Sequence, residues 1–188
     1  MASSQQLSDV AKDYFACFYH ILDEMVRDMK GAELTDSISH NFIVQMIPHH
    51  RAAMEMSRNI LRYTTLVPLQ NISSNIIEEQ TKSIDDMKNA LSCCGQLSST
   101  EQELCLYQRR FQHITQTMFA DMENSCATNN LNASFIREMI PHHRGAIQMS
   151  ENALRFPICP ELVPLLDSII VSQQAGIRKM EHLLRCMR

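Results

Sequence analysis

Apolar residues recur at steps of three and four along most of the 188-residue chain, which is the spacing of one face of an α-helix. One such row contains Phe42, Met46, Ala53, Met56 and Ile60. No segment alternates apolar and polar residues over a convincing length, so the pattern gives no support for β-strands. It predicts an all-α protein of six helices, with approximate bounds 7–30, 36–63, 68–91, 100–125, 132–156 and 160–187.

Local signals mark several of these helix ends. The first helix is expected to stop near Gly31. Asp36 is the predicted N-cap of the second helix, because a side-chain oxygen there can accept from a free backbone N–H. Pro68 suits the first turn of the third helix, where its missing N–H costs nothing.

The six helices are two copies of one unit. NFIVQMIPHHRAAMEMSRNIL begins at Asn41, and SFIREMIPHHRGAIQMSENAL begins 93 residues later at Ser134. The same offset relates residues in all three helices of the unit. Only the connector after the second helix slips, because LVPLQ at Leu66 matches LVPLL at Leu162 with an offset of 96. Such self-similarity indicates an internal duplication.

The duplication also predicts how the helices pack. Three helices of this length bury too little apolar surface to be stable alone. We therefore expect the two units, 1–97 and 98–188, to pack as one globular six-helix bundle with pseudo-twofold symmetry. Whether copies of the chain form a homo-oligomer is left open by the sequence.

Charge and hydropathy exclude two classes of partner. Lys and Arg number 17 against 21 Asp and Glu, and the net charge of −4 argues against binding to nucleic acid through phosphate neutralisation. No apolar run approaches the length of a membrane span. The N-terminal residues lack a cationic start followed by an apolar stretch. The expected location is the cytoplasm, or outside it if a leader precedes this sequence in the natural chain.

The unusual feature of the composition is its sulfur and imidazole content. The chain has 13 Met, 8 His and 7 Cys, all with soft or borderline metal-ligand atoms. The cysteines form no Cys-x-x-Cys motif, so we expect reduced thiols, most of them small buried hydrophobes, rather than a disulfide framework.

Pro48 and Pro141 lie inside segments that are otherwise periodic helices. Proline lacks the amide hydrogen and clashes with the carbonyl four residues back, which predicts a kink. The alternative is that Pro48 opens a new helix. The apolar row continues through the proline without a change of phase, which favours the kink.

The paired histidines after each proline are the main candidate site. Adjacent helical residues are about 100° apart, so His49 shares a face with Met46, Ala53 and Met56, whereas His50 lies on another face. A thioether and an imidazole three residues apart can point toward one metal ion. The second copy repeats the motif with Met139, His142, His143, Ala146 and Met149.

The donor types rank the candidate ions. Thioether and imidazole together suit Cu(I), and imidazoles also hold Cu(II), so copper is the expected ion, with another transition metal as the alternative. Hard cations would need a carboxylate cluster, and a di-iron site needs Glu-x-x-His. The sequence lacks that motif, since Glu138 is four residues before His142 and becomes Gln45 in the first copy. His20 and His113, in the first helix of each unit, are further candidate ligands.

Three functions are compatible with these residues. The leading hypothesis is a non-catalytic protein that sequesters, buffers or transfers copper. The second is a metal-dependent enzyme that uses the paired histidines as a redox centre or as acid–base groups. The third is a helical interaction module, in which the histidines are structural and the methionines only fill the core.

The motifs resemble a known family. MIPHHRAAMEMS and MIPHHRGAIQMS are similar to the signature of the "domain of unknown function 305" family, a ferritin-like helical group, here in two tandem copies. The later rows Gln80–Ile84–Met87 and Gln173–Ile177–Met180 resemble a second element of that family. The sequence departs from the family where an acidic residue usually precedes that isoleucine, since Ser83 and Gly176 stand there.

The resemblance implies a function and a set of ligands. It implies a helical bundle that binds metal, with copper as the ion of exported members that protect against copper stress. The residues that match the family's suspected ligands are Met46, His49, His50, Met56, Met87, Met139, His142, His143, Met149 and Met180.

Overall fold

The structure, a computed structural model, describes residues 6–94, 97–125 and 127–187, with the side chain of Cys93 left out. These residues form helices and connectors and no β-strand, which confirms the predicted all-α fold. The helices are α1 (Asp9–Lys30), α2 (Ile38–Leu61), α3 (Val67–Cys94), α4 (Glu101–Glu123), α5 (Leu131–Ala153) and α6 (Val163–Cys186).

Side-chain caps set several of the helix starts. Ser37, and not the predicted Asp36, caps α2, because its hydroxyl accepts from the backbone N–H of His40 at 3.4 Å. Thr100 and Glu103 form a capping box at the start of α4, in which each side chain accepts from the other residue's backbone N–H. α6 begins at Val163, three residues after the predicted start at Pro160, because residues 160–162 form a turn.

α2 and α5 run without interruption through Pro48 and Pro141. The alternative that Pro48 opens a new helix is therefore wrong. The reason is the continuous apolar row, which keeps one face of α2 buried on both sides of the proline. The kink itself stays a prediction.

The helices pack as two three-helix halves. In the first half α2 lies between α1 and α3, and in the second α5 lies between α4 and α6. The halves meet mainly through α2 against α5 and α3 against α6. One hydrogen bond shows the equivalence of the halves: the amide of Asn59 donates to the carbonyl of Tyr14 at 3.0 Å, and Asn152 donates to Tyr107 at 3.1 Å. The predicted division at residue 97 stays a prediction.

The cysteines depart from the expected reduced state. Cys94 at the end of α3 forms a disulfide with Cys159 in the connector between α5 and α6, with Cα atoms 5.2 Å apart. Among the free cysteines with described side chains, Cys105 and Cys186 are exposed and Cys17 is half-buried, so these three are not the predicted buried hydrophobes. Cys126 and the Cys93 side chain lie outside the described residues.

None of the helices formed by the described residues is both long enough and apolar enough to cross a lipid bilayer. This agrees with the expectation from the sequence.

Candidate metal centre

The four motif histidines are buried where the two halves meet. His49 and His50 on α2, and His142 and His143 on α5, are each at most 2% exposed. The apolar faces of both helices are turned into the bundle, and the histidines follow those faces inward. The structure therefore brings together the two copies of the motif, which are 93 residues apart in the chain.

The centre of this group is a stacked pair. The rings of His49 and His142 have centroids 3.7 Å apart and planes inclined by 25°. His50 and His143 lie on either side, with ring centroids 5.8 Å from His49 and 6.0 Å from His142 respectively. All four imidazoles thus belong to one buried group that spans the contact between α2 and α5.

Two hydrogen bonds orient these rings. Nε2 of His142 lies 3.2 Å from the backbone carbonyl oxygen of His49. Because a carbonyl oxygen only accepts, Nε2 of His142 carries the hydrogen, and its Nδ1 retains the lone pair that a metal ligand needs. Nε2 of His50 lies 3.1 Å from the hydroxyl of Ser83 on α3.

Several of the remaining ring nitrogens have no hydrogen-bond partner. Each unpartnered polar atom in a protein interior costs about 1–3 kcal/mol, and such atoms usually have an unseen water or ion nearby or a chemical role. The Nδ1 atoms of His50 and His142 and at least one ring nitrogen of His49 are unpartnered. The rings of His49 and His143 also interact with the backbone of His142 and Met139, respectively. The unpartnered nitrogens in this one buried group favour a bound species.

Burial keeps these histidines neutral. Loss of hydration, and then the neighbouring imidazoles, hold the pKa values of His49 and His142 well below the ordinary 6.5. Burial lowers the pKa of His50 to about 3 and that of His143 to about 4. A metal ion binds the neutral imidazole, so the group is in its ligand form at neutral pH without first losing a proton.

The six predicted methionine ligands lie in the same core as the histidines. Each is at most 2% exposed, and all belong to one cluster of buried residues that extends through both halves. The six thioethers are therefore inside the bundle, as the four imidazoles are. The six are Met46, Met56, Met87, Met139, Met149 and Met180.

The two first-helix histidines are not part of this group. The side chain of His20 is 71% exposed, with Nε2 3.6 Å from a carboxylate oxygen of Glu24. His113 is exposed and lines a surface cavity with Arg110 and Glu151. The structure therefore separates both of these predicted ligands from the buried imidazoles.

Two further residues touch the group, and sequence reasoning singled them out only as departures from the family pattern. Ser83 bonds His50, as described above. At the equivalent position in the second half, Gly176 approaches His143 so closely that a Cβ atom there would lie 2.9 Å from Cδ2 of the ring. The 93-residue offset, which aligns Ser83 with Gly176, is the signal that the two outer imidazoles have different surroundings.

A second polar pair joins the halves beside the histidines. The hydroxyl of Tyr14 on α1 donates to the Glu138 carboxylate on α5 at 2.6 Å. Burial raises the pKa of Glu138 to about 7. At the equivalent positions, Tyr107 and Gln45 form no such bond, and the Tyr107 hydroxyl has no partner. The two halves therefore differ in the polar residues next to the core.

A duplicated three-helix unit with paired histidines buried on its central helix defines a class of two-copy helical bundles whose apolar core contains a group of imidazoles. The chain belongs to the family described as Domain of unknown function (DUF305), whose model matches residues 21–91 and 39–184. This confirms the resemblance seen in the sequence. No curated protein matches this chain in sequence.

Two solved structures are similar to the chain. One is a DUF305 fragment from Deinococcus radiodurans, with 23% identity and a TM-score of 0.58, over 78% of this chain and 95% of that one. At this identity the similarity shows the fold alone. The other is CopM in its Cu(II)-bound form, with 27% identity and a TM-score of 0.60, over 80% of this chain and 97% of that one.

Proposed function

We propose that this protein binds copper through the buried histidines and methionines, and acts in copper sequestration, buffering or transfer rather than catalysis. The observation that carries the proposal is the stacked pair of His49 and His142, set in a buried group with several unpartnered ring nitrogens. A purely structural role would leave those nitrogens without compensation for their burial.

The donor set supports copper over other ions. Neutral imidazole nitrogens and thioether sulfurs suit Cu(I), and imidazoles also hold Cu(II). Among the described residues, the one buried carboxylate is that of Glu138, and it accepts a hydrogen bond from Tyr14. Calcium and magnesium, which require several oxygen ligands, are therefore poorly matched to this interior.

The burial of the group favours binding over turnover. A cavity of about 340 Å³ lies beside α2 and is lined by Pro48, Arg51 and Met54, but not by the adjacent histidines. A bare ion can pass between side chains during small fluctuations, whereas a bulky substrate would need the bundle to open. The enzyme hypothesis would require such access to the ring nitrogens.

The surrounding residues prepare the histidines for the ion. The His49 carbonyl fixes the tautomer of His142, and Ser83 holds the His50 ring. The close-packed apolar core separates a bound ion from bulk solvent. The similarity to CopM in its Cu(II)-bound form supports the same ion for this chain.

The test is a titration of the purified apo-protein with Cu(I) in the presence of a competing chelator. The double variant His49→Ala/His142→Ala should weaken binding by at least about tenfold, since even outer residues of a metal site contribute about 10–100-fold. The matched control is His20→Ala/His113→Ala, which removes two exposed imidazoles and should leave the affinity unchanged. Circular dichroism would establish that both variants keep their helices.

Equal affinity in the two double variants and the wild type would overturn the copper proposal. It would favour the interaction module with structural histidines, which also predicts no stoichiometric metal in the protein as isolated. Elemental analysis of the purified protein would give a second, independent measurement.

A further inference from the structure

The two halves differ in the connector after the central helix, and the α5–α6 connector has metal-ligating residues that the α2–α3 connector lacks. Between the aligned pairs Tyr63/Phe156 and Leu66/Leu162, the second connector has three more residues than the first, as the change of offset from 93 to 96 shows. The longer connector contains Cys159 and Glu161. The shorter one has only Thr64 and Thr65 between the aligned residues, so neither a thiol nor a carboxylate is present there.

The fold brings this connector against the other half. Cys159 lies next to Cys94 at the end of α3, and its backbone N–H donates to the hydroxyl of Ser39 at 2.9 Å. The hydroxyl of Ser37 donates to the carbonyl of Cys94 at 3.4 Å. Both cysteine backbones are thus held by the first turn of α2, so their separation is fixed by more than the disulfide.

Three metal-ligating side chains converge here. One ligand atom from each of Cys94, Cys159 and Glu161 lies within 4.8 Å of the others. The Sγ of Cys159 is 2.8 Å from Oε2 of Glu161. Both sulfurs are buried and Glu161 is exposed, so the cluster opens to solvent on the carboxylate side.

We propose that Cys94, Cys159 and Glu161 bind one zinc ion when the disulfide is reduced, and that the disulfide closes this site. Two thiolates and one carboxylate are suitable zinc ligands, and water can take the fourth tetrahedral position. Cu(I) also binds thiolates, but as a soft ion it has low affinity for a carboxylate oxygen such as the one that the structure places beside Cys159. The site lies apart from the histidine group and does not depend on the proposed copper function.

Opening the site requires a dithiol reductant. Two electrons and two protons pass from the dithiol to the protein, so the Cys94–Cys159 bond breaks to give two thiols and the dithiol becomes a disulfide. Zinc then displaces the two thiol protons and binds the thiolates. In the metal-free protein the same exchange runs in reverse with an oxidised dithiol, which takes up two electrons and two protons as the disulfide between α3 and the α5–α6 connector re-forms.

The duplication indicates that the bundle does not need this cluster in order to fold. The residue equivalent to Cys94 in the second half is Met187, and the first-half connector has no equivalent of Cys159. The matching end of the bundle is therefore built without a disulfide. The pair Cys94 and Cys159 is therefore present at only one of the two equivalent ends of the bundle. A feature that the repeated fold does not require is free to serve as a separate site.

The experiment compares zinc binding to the full chain before and after reduction. Protein is treated with dithiothreitol, desalted without oxygen, and titrated with Zn²⁺ against a chromophoric chelator. The reduced protein should bind one more equivalent of zinc than the oxidised protein. Cys159→Ser should lose that equivalent, Glu161→Gln should weaken it by about tenfold, and the exposed control Cys105→Ser should retain it.

Equal zinc binding in the two redox states, or an extra equivalent that survives Cys159→Ser, would overturn the proposal. An extra equivalent specific to Cu(I) and insensitive to Glu161→Gln would overturn the assignment to zinc. If Cys159→Ser does not fold, Co²⁺ can be added to the wild type instead. The thiolate-to-cobalt absorption band should then appear only after reduction. The variant His49→Ala/His142→Ala separates this outcome from the copper test, since it should keep the reduction-dependent zinc.

Discussion

His49 and His142, which occupy the same position in the two copies of the repeat, stack with their ring centroids 3.7 Å apart. Equivalent residues can touch only beside the axis that relates the two copies, as in an isologous contact between identical subunits. The pseudo-twofold axis therefore passes between the two imidazoles. A site on such an axis receives the same donor types from both halves, so the Pro-His-His motif contributes to it once from α2 and once from α5.

The first prediction concerns acid. Burial lowers the pKa of His50 to about 3 and that of His143 to about 4, so the unfolded chain binds protons more strongly than the fold below pH 6.5. Their contribution to stability is therefore complete above pH 6.5 and is lost as the pH falls. We expect the free energy of unfolding of the apo-protein to fall by up to about 1.4 kcal/mol per pH unit for each buried histidine.

Urea unfolding between pH 7.5 and pH 5 measures this dependence. His143→Gln should reduce the pH dependence of the unfolding free energy by the contribution of one buried histidine. The same slope in His143→Gln and the wild type would contradict the predicted origin of the effect.

The second prediction concerns the asymmetry around the outer imidazoles. A Cβ atom at Gly176 would lie 2.9 Å from Cδ2 and 3.0 Å from Nε2 of His143. Because that ring is buried, Gly176→Ala should destabilise the protein by about 1–3 kcal/mol, despite the better helix propensity of alanine. Ser83→Ala at the equivalent position leaves Nε2 of His50 without its partner and should cost about 1 kcal/mol. Urea unfolding of both variants is the measurement, and a stabilised Gly176→Ala would show that the ring has room to move.

Much of the architecture was predictable because it depends on local periodicity and on repetition. The spacing of apolar residues gave six helices within a few residues of their observed bounds. The repeated Pro-His-His motif pointed to the buried group, since a motif kept in both copies is held to the same face of its helix. Donors that lie outside the motif were harder to place.

The positions of His20 and of the disulfide were not predictable from local spacing. His20 is two residues beyond the buried Phe18, hence about 200° around α1, which turns it toward solvent. The position of His20 therefore follows from the burial of the α1 face that contains Phe18. It could be predicted only after that buried face was known. The disulfide joins Cys94 to Cys159 across 65 residues, a proximity set by how the connector packs on the other half and not by local spacing.

The third prediction concerns the packing of α4 on α5. A Cβ atom at Gly145 would overlap the Sδ of the buried Met118 and would lie 2.9 Å from its Cγ. Gly145→Ala should therefore destabilise the protein by about 1–3 kcal/mol, since the methionine has little free space to move into. The matched control is Ala52→Gly at the equivalent position of α2, which should cost only about 0.5–1 kcal/mol through helix propensity.

Thermal or urea unfolding compares these two variants directly. A variant Gly145→Ala/Met118→Ala should recover part of the loss, because the shorter side chain removes the clash, although it leaves a cavity of its own. If Gly145→Ala is as stable as the wild type, Met118 has an alternative rotamer in the core.

The fourth prediction separates two tyrosines that sequence alone treats as equivalent. Tyr14 donates to the buried carboxylate of Glu138 at 2.6 Å, whereas the hydroxyl of Tyr107 is buried without a partner. Tyr14→Phe leaves the carboxyl group of Glu138 unpaired and should destabilise the protein by about 1–3 kcal/mol. Tyr107→Phe removes an unsatisfied hydroxyl, so it should be neutral or slightly stabilising. Urea unfolding of the two variants at the same pH measures the difference, and equal losses would show that the Tyr107 hydroxyl is bonded to water in solution. The double variant Tyr14→Phe/Glu138→Gln replaces the unpaired carboxyl group with the amide that Gln45 has at the equivalent position, and should recover part of the lost stability.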